Sequence, residues 1–253
     1  MARTDYSYIG SGRILARRRG SAEAYRELGN CSALTLGVET ETKSLRDFRS
    51  PGGGTYNQVD RITAVTLSVT AHDLSPDNIA LALYGTTEAV AGGSVAAEAA
   101  VAYKGGYVVL EGNPSAVASI EPVGGGTAYV EGTDYILQHG AIFIPATSSI
   151  PAPSTPTTPN IEVDYTDRKG DMVHALAAAA AELELVFLGL NEADSGSHVT
   201  VRVWRAKFGP AQSIPLIGDD YAALEMTGAC LADASKVGGE SQYFQTFVED
   251  TTV

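Results

Sequence analysis

The glycine-rich stretch at residues 49–57, RSPGGGTYN, constrains the fold more than any other part of this sequence. It joins two segments, residues 34–43 and 63–70, in which apolar residues recur at every second position. That period is typical of β-strands with one buried and one solvated face. A phosphate-binding loop would need a helix directly after the glycines, and no helix is predicted there. The stretch therefore predicts a long β-hairpin with a flexible tip, which favours assembly over catalysis.

Composition excludes several classes of protein. Of the 253 residues, 44% are hydrophobic and 27 are glycine, which is typical of a folded β protein with many turns and excludes a disordered chain. The longest apolar run, near residues 175–181, is shorter than the roughly 20 residues of a membrane-spanning helix. The N-terminus has no apolar signal core, so we expect no secretion. Cys31 and Cys230 show no metal-ligand spacing and are expected to be free thiols in a reducing compartment.

The charge is unevenly distributed along the chain. There are 30 acidic and 17 basic residues, a net charge of -13, yet residues 1–26 hold six arginines against two acidic residues. A basic arm on an acidic body is either a nucleic-acid tail or an arm that lies on a neighbouring copy. Tyr6 and Tyr8 in the arm need an apolar surface to dock on, and an acidic body repels phosphate. Both observations favour contact with a neighbouring copy.

Local signals place one helix among many strands. Ser75 is a good N-cap, Pro76 suits the first helical position, and Gly85 suits the C-terminal stop. Short strands are predicted between residues 103 and 166, interrupted by a proline-rich loop at 145–159 that we interpret as a surface insertion rather than a binding motif. Residues 183–188 and 199–204 predict a hairpin, and 221–231 a last strand.

Motifs for catalysis are missing from the sequence. The four histidines are scattered, no G-x-S-x-G or G-K-[ST] motif is present, and residues 191–196 lack the downstream glutamate of a calcium loop, so they predict a polar turn. Paired carboxylates such as Asp219 and Asp220 are interpreted as solvated. We expect no enzyme, no catalytic residue, no cofactor and no metal.

An ordered set of motifs resembles the major tail tube proteins of long-tailed, noncontractile bacteriophages. The set is GN at 29–30, LxL at 34–36, ETExKxL at 39–45, RSPGGG at 49–54, LSxT at 67–70, DLSPxN at 73–78, NEADSG at 191–196 and WRAKFGP at 204–210. Together with the pattern from Tyr135 to Tyr165, the resemblance covers most of residues 28–235. Residues 86–106 and the proline-rich loop depart from it.

The resemblance implies a mainly β fold: an antiparallel β-sandwich or partial barrel, flanked by one short α-helix and carrying a long stacking hairpin loop. It implies an N-terminal arm at 1–27, a tail-tube domain at 28–235 with a variable or extended segment at 86–160, and a C-terminal arm at 236–253. Hexameric rings would stack into a tube, with tail-tip and tail-terminator proteins at its ends and a tape-measure protein inside. DNA would pass without specific binding, and no membrane would be involved. The protein would reside in the virion tail, and in the host cytoplasm during assembly.

The same resemblance assigns roles to three sets of residues. The inter-ring stacking loop is Arg49, Ser50, Pro51, Gly52, Gly53, Gly54, Thr55, Tyr56 and Asn57. The N-terminal arm would contact neighbours through Tyr6, Tyr8, Arg13, Arg17, Arg18 and Arg19. The C-terminal arm would do so through Tyr243, Phe244 and Phe247.

Two alternative functions remain open from the sequence. One is the inner tube of a contractile tail or injection machine. The other is a monomeric β-sandwich for adhesion or carbohydrate binding, in which residues 135–165 form an immunoglobulin-like module.

Overall fold

The computed structural model describes residues 7–194 and 196–250, which form two compact units. The first unit combines the chain up to residue 87 with the chain from residue 173 onwards, and the inserted unit comprises residues 88–172. Each unit has a hydrophobic core of its own. Most of the segment at 86–160, which was predicted as a variable or extended part of one domain over 28–235, folds around this separate core.

One antiparallel sheet dominates the first unit. Its strands are β1 (Gly10–Arg18), β2 (Arg26–Glu27), β3 (Cys31–Arg46), β4 (Thr55–Ala71), β13 (Leu183–Asn191), β14 (Ser197–Phe208), β15 (Leu224–Cys230) and β16 (Phe244–Val248). Their order is β2-β1-β13-β14-β15-β4-β3, and β16 also pairs with β14. A 3-10 turn at Glu192–Asp194 connects β13 to β14, which confirms the predicted hairpin; Ser195 of that turn lies outside the described residues.

The core of the first unit is formed by residues from strands in both halves of this sheet. Val65, Leu67 and Val69 of β4 are buried, and they share one cluster with Ile14 of β1 and Leu185 of β13. The residues between them on β4 are only partly buried, so the predicted alternation is confirmed. Each fully buried aliphatic side chain contributes about 1.5–3 kcal/mol relative to exposure. The fold prediction of antiparallel sheets with one short helix is confirmed for the part of the chain that the structure describes.

The helix α1 (Pro76–Ala82) begins as predicted. Ser75 is the N-cap, and its Oγ accepts a hydrogen bond from the backbone N–H of Asn78 at 3.3 Å. The C-terminus differs from the prediction, because Tyr84 rather than Gly85 adopts the left-handed conformation, with φ of 52°. The Tyr84 hydroxyl donates to the carbonyl oxygen of Phe208 at 2.6 Å, which holds the side chain in place.

The inserted unit is built from short strands. They are β6 (Gly93–Ala100), β7 (Tyr107–Val108), β8 (Pro114–Pro122), β9 (Ile136–Gln138), β10 (Ala141–Phe143) and β11 (Ile161–Asp167). They form two three-stranded sheets, β6-β11-β8 and β7-β10-β9. β5 (Thr86–Val90) pairs with β12 (Gly170–His174) where the chain passes between the units. The proline-rich loop is not a simple surface insertion, because Ile150 within it is buried in the core.

The expected terminal arms are largely parts of the main sheet. β1 pairs with β13 from Gly10 opposite Asn191 to Arg18 opposite Leu183, and with β2, so these parts of the expected N-terminal arm are strands of the main sheet. The physical reason is that Ile14 and Ala16 are buried on one side of β1, whereas Arg13 and Arg17 next to them are not. The C-terminal arm is likewise bound to its own chain through β16.

A buried amide gives a test of the first unit. Asn78 donates from Nδ2 to the carbonyl oxygens of Leu28 and Asp73, both at 2.8 Å, and its Oδ1 accepts from Arg26 Nη1 at 2.8 Å. Asn78→Ala leaves these groups unpaired, so we expect it to lower the free energy of unfolding by about 2 kcal/mol. Urea unfolding followed by the fluorescence of Trp204, the one tryptophan, measures this.

The matched control is Asn57→Ala at an exposed position of β4. We expect this variant to stay within about 0.5 kcal/mol of the parent. Equal losses in the two variants would contradict the structural role of Asn78.

Candidate assembly surfaces

The β3–β4 hairpin is the main candidate for a functional surface. Its strands pair from Cys31 opposite Ala71 to Arg46 opposite Thr55. Residues 38–46 and 55–63 are all exposed, so both faces of the outer half are open to solvent. At about 3.3 Å per residue, this outer half is roughly 25 Å long. It therefore extends well past the last buried side chain of β4, Val65.

Large apolar side chains occupy the exposed half of the hairpin. Val38 and Ile62 lie on the continuation of the core face, whereas Leu45 and Val59 lie on the opposite face. Phe48 in the connecting loop is 80% exposed. Single exposed apolar residues are ordinary, but a two-stranded hairpin with apolar side chains on both faces is marginally stable in water. The outer half is consequently a surface that gains stability when it is covered.

The tip of the hairpin is ordered by internal bonds. The N–H of Asp47 donates to the carbonyl oxygen of Gly54 at 2.8 Å, and the N–H of Gly53 donates to that of Ser50 at 3.0 Å. The Arg49 guanidinium lies 4.6 Å from the ring centroid of Tyr56 and donates to Asp47 Oδ1 at 3.2 Å. These contacts give the tip a defined shape, in contrast to the predicted flexible tip.

The loop boundaries also differ from the prediction. Of the predicted stacking residues, Thr55, Tyr56 and Asn57 belong to β4, and the loop proper is residues 47–54. β4 is longer than predicted because the ladder continues through charged and polar residues such as Asn57 and Asp60. Backbone pairing does not need an apolar side chain at every second position.

A polar face lies on the other side of the sheet from the core, at the base of the hairpin. We call it the hydroxyl face, and it consists of Ala33, Thr35, Gly37 and Glu39 of β3, Ala64, Thr66, Ser68 and Thr70 of β4, and Glu225, Thr227 and Ala229 of β15. Its charged members, Glu39 and Glu225, are both acidic and exposed. The face is smooth, hydrophilic and negatively charged.

The predicted N-terminal contact residues are mostly engaged within the chain. Arg17 donates to Glu184 directly across β1 and β13, and its guanidinium carbon lies 4.4 Å from the ring centroid of Tyr25. Arg19 Nη2 donates to Asp233 Oδ2 at 3.0 Å. Each therefore already has an acidic partner in its own unit, and the contact with a neighbouring copy stays a prediction.

The other four predicted N-terminal contact residues have no strong partner or lie outside the described residues. Arg13 lies 3.8 Å from Glu27 in an exposed ion pair, and pairs of this kind contribute little. Arg18 and Tyr8 are exposed at the surface. Tyr6 lies outside the described residues.

The C-terminal aromatic residues divide into two groups. Tyr243 and Phe244 are partly buried against the core of the first unit, and their docking on another subunit stays a prediction. Phe247 is 60% exposed on β16, together with its neighbour Val248. Only the end of this strand remains available for contact.

Sequence reasoning missed two apolar surfaces. One is the solvent-facing side of β13, where Leu188 and Leu190 are exposed. The run LVFLGL at residues 185–190, which has no polar side chain, is typical of a strand buried on both faces and was the available signal. The other is the loop between β14 and β15, in which Leu216, Ile217 and Tyr221 are almost fully exposed. No periodicity marks that loop.

The potential metal-ligating side chains of the described residues are dispersed. Within 7–194 and 196–250, no three His, Cys, Asp or Glu side chains are grouped so that they could hold a metal ion. Across the same residues no helix has the length and apolar character of a bilayer-crossing segment. Cys31 and Cys230 are free thiols, and burial raises the pKa of Cys230 to about 11, which keeps it protonated and unreactive.

The carboxylate of Asp233 gives a pH-dependent prediction. Hydrogen bonds from the hydroxyl and N–H of Ser235, and then from Arg19, lower the pKa of Asp233 to about 2. A lowered pKa in the folded state stabilises the protein above the pKa of the unfolded state, about 3.9, and the stabilisation disappears as pH falls through about 2. We expect Asp233→Asn to be less stable than the parent at pH 7, with the difference shrinking between pH 4 and pH 2.

Urea midpoints at pH 7, 4, 3 and 2, read from Trp204 fluorescence, measure this difference. Asp219→Asn, at an exposed loop position, is the matched control and should show no such trend. A difference between parent and Asp233→Asn that stayed constant across the series would refute the assignment.

Comparison with known proteins identifies the family to which this chain belongs. The chain matches the family described as Protein of unknown function UCP028589 over residues 7–246, and it is a member of that family. None of the curated proteins matches the chain. The functional conclusion therefore has to come from the residues and surfaces described above.

Proposed function

We propose that this protein is a structural subunit of the tail tube of a long-tailed, noncontractile bacteriophage, assembled as rings of six copies that stack into a hollow tube. The observation that carries the proposal is the β3–β4 hairpin, whose outer half is exposed on both faces and yet carries large apolar side chains on each. A projecting element of this kind is poorly suited to a monomer in water and well suited to insertion between neighbouring copies.

The hairpin supplies a favourable free energy of assembly. Covering an apolar side chain such as Phe48 or Ile62 contributes about 1.5–3 kcal/mol when burial is complete. The ordered tip limits the conformational entropy lost on docking, because Asp47 and Gly53 are already hydrogen-bonded within the loop. A defined tip with apolar flanks can thus contact the next ring at a modest entropic cost.

The arrangement of strands supports ring formation. β3 is the terminal strand of the sheet order, and its pairing runs along β4. A terminal strand of this length presents backbone N–H and C=O groups to any neighbour. Edge-to-edge packing of such sheets around a ring removes the exposed edges.

The hydroxyl face fits the wall of a channel for DNA. Its hydroxyl and small side chains offer no basic group to a phosphate, and Glu39 and Glu225 repel it. The net charge of -13 likewise disfavours the binding of phosphate. In the proposed tube this face lines the lumen, so that DNA slides through without binding.

The hairpin gives the first test of this proposal. Phe48→Asp combined with Val59→Asp places charges on the exposed apolar surface without touching the core. We expect the variant to keep the stability of the parent within about 0.5 kcal/mol and to lose tube formation in electron micrographs and light scattering.

Val130→Asp, which alters an exposed apolar residue of the inserted unit, is the matched control and should assemble. Tubes formed by the double variant at the parent's concentration would contradict the role of the hairpin. A parent protein that stays monomeric even in the presence of tail-tip proteins would instead favour a monomeric binding module.

The lumen gives a second test. Glu39→Lys combined with Glu225→Lys reverses the charge of the hydroxyl face, and we expect the resulting tubes to retain DNA in a manner that weakens steeply with salt. Parent tubes should retain none. Filter binding of labelled DNA between 50 and 200 mM salt, about the range in which such contacts weaken, measures the effect.

Glu111→Lys combined with Glu131→Lys makes the same change of charge at exposed positions of the inserted unit. We expect this control to retain less DNA than the lumen variant. Equal retention by the two variants would show that the hydroxyl face does not line the channel.

A further inference from the structure

The solvent-facing side of β1, β13, β14 and β16 is an apolar face that the first unit leaves uncovered. Leu188 lies opposite Arg13 on one side and Thr200 on the other, and Thr200 lies opposite Phe247 of β16. Leu188, Phe247 and the adjacent Leu190 are exposed large apolar residues. We call this surface the outer face.

The sequence of β13 indicates that the outer face is normally covered. Leu183 and Leu185 point into the core, while Val186, Leu188 and Leu190 point the other way. Strands that are apolar on both sides are typical of elements packed on both sides. In the described residues one of these sides is packed and the other forms a groove, lined by Leu15, Tyr25, Val186, Leu188, Arg202 and Trp204 among others.

The outer face carries one arginine that no acidic side chain compensates among the described residues. Arg202 is exposed and has no ion-pair partner among the described residues, and it lies beside Val186 in the register. The charge of the Glu184 carboxylate on the same face is compensated by Arg17, and the carboxylate also accepts a hydrogen bond from the Tyr25 hydroxyl. The face therefore combines apolar side chains with uncompensated positive charge.

The loop at residues 214–221, IPLIGDDY, has the complementary chemistry. Ile217 is 99% exposed and Tyr221 is 96% exposed, with Leu216 close behind. Asp219 and Asp220 are exposed acidic residues, and the loop contains no basic one. We call it the apolar-acidic loop.

Both ends of the apolar-acidic loop are held by the first unit. Before it, the N–H of Ala211 donates to the carbonyl oxygen of Ala82 at 2.7 Å, and Ile214 packs against the core. After it, Leu224 is buried at the start of β15. Because its ends are fixed, the loop presents its apolar side chains in a restricted region, which limits the entropy lost on docking.

We infer that the apolar-acidic loop of one copy docks on the outer face of a neighbouring copy, with Ile217 beside Leu188 and Asp219 or Asp220 beside Arg202. The two surfaces are different parts of the same molecule, so the contact is heterologous and its repetition generates a closed ring or a continuous filament. The inference rests on the proposed function, since it names the contact that joins neighbours in the assembly. It is distinct from the hairpin contact, which uses β3 and β4.

Disulfide trapping tests the inference directly. In a background in which Cys31→Ser and Cys230→Ala remove the native thiols, Ile217→Cys and Leu188→Cys are introduced together. After assembly and mild oxidation, a denaturing gel without reductant should show a ladder of covalent oligomers. Each single-cysteine variant should give at most dimers, and Ile217→Cys paired with Val130→Cys is the control that should give no ladder.

Every outcome of the trapping experiment is informative. Assembled tubes without a ladder would overturn this inference and leave the proposed function standing. An intramolecular disulfide in a monomer would show that the loop folds onto its own chain and would also overturn it. If the cysteine-free parent formed neither rings nor tubes with tail-tip proteins present, both proposals would fail together.

Charge exchange provides an independent readout. Asp219→Arg combined with Asp220→Arg should raise the concentration needed for assembly by about threefold or more, and more strongly at low salt. Adding Arg202→Asp to this variant should recover part of the loss. An assembly threshold that no charge variant alters would contradict the placement of Arg202.

Discussion

The continuous hydrogen-bonded pairing of β3 with β4 is the constraint on which the rest of the molecule depends. The same two strands that bury Val65, Leu67 and Val69 in the core run on past it, so the exposed half of the hairpin is anchored by the buried half. Backbone pairing tolerates any side chain, whereas burial requires apolar ones. One element can therefore serve folding at its base and contact with neighbours at its tip without conflict between the two roles.

The alternating pattern in residues 63–70 was enough to predict β4, its buried face and the antiparallel fold. The same reasoning failed for β1, because the arginines that flank Ile14 and Ala16 resemble a solvated basic arm. The strand becomes evident only when its partner is known: Glu184 on β13 neutralises Arg17, which allows a charged position to sit within a sheet. Partners that are distant in sequence leave no local signal.

The candidate surfaces also differ in whether their sequence signal is local or depends on distant strands. The glycine-rich hairpin was predictable because its signal lies within a short stretch, although the end of the loop was misplaced by three residues of β4. The alternation in β4 also predicted the wet side with Thr66, Ser68 and Thr70, but not the part of the hydroxyl face on β15. The outer face was not predictable, because it is assembled from strands far apart in the chain. Within β13 the apolar character of both sides was visible in the sequence, but which side stays open depends on the order of the strands.

The β5–β12 ribbon has a consequence for how such chains diversify. Residues 88–172 leave the first unit and return to it through two strands that pair with each other, so the ends of the insertion are held close together. For the first unit, an insertion with adjoining ends amounts to a short connection, whatever the length of chain between them. The ribbon is thus a position at which one inserted unit can be exchanged for another without changes to the main sheet.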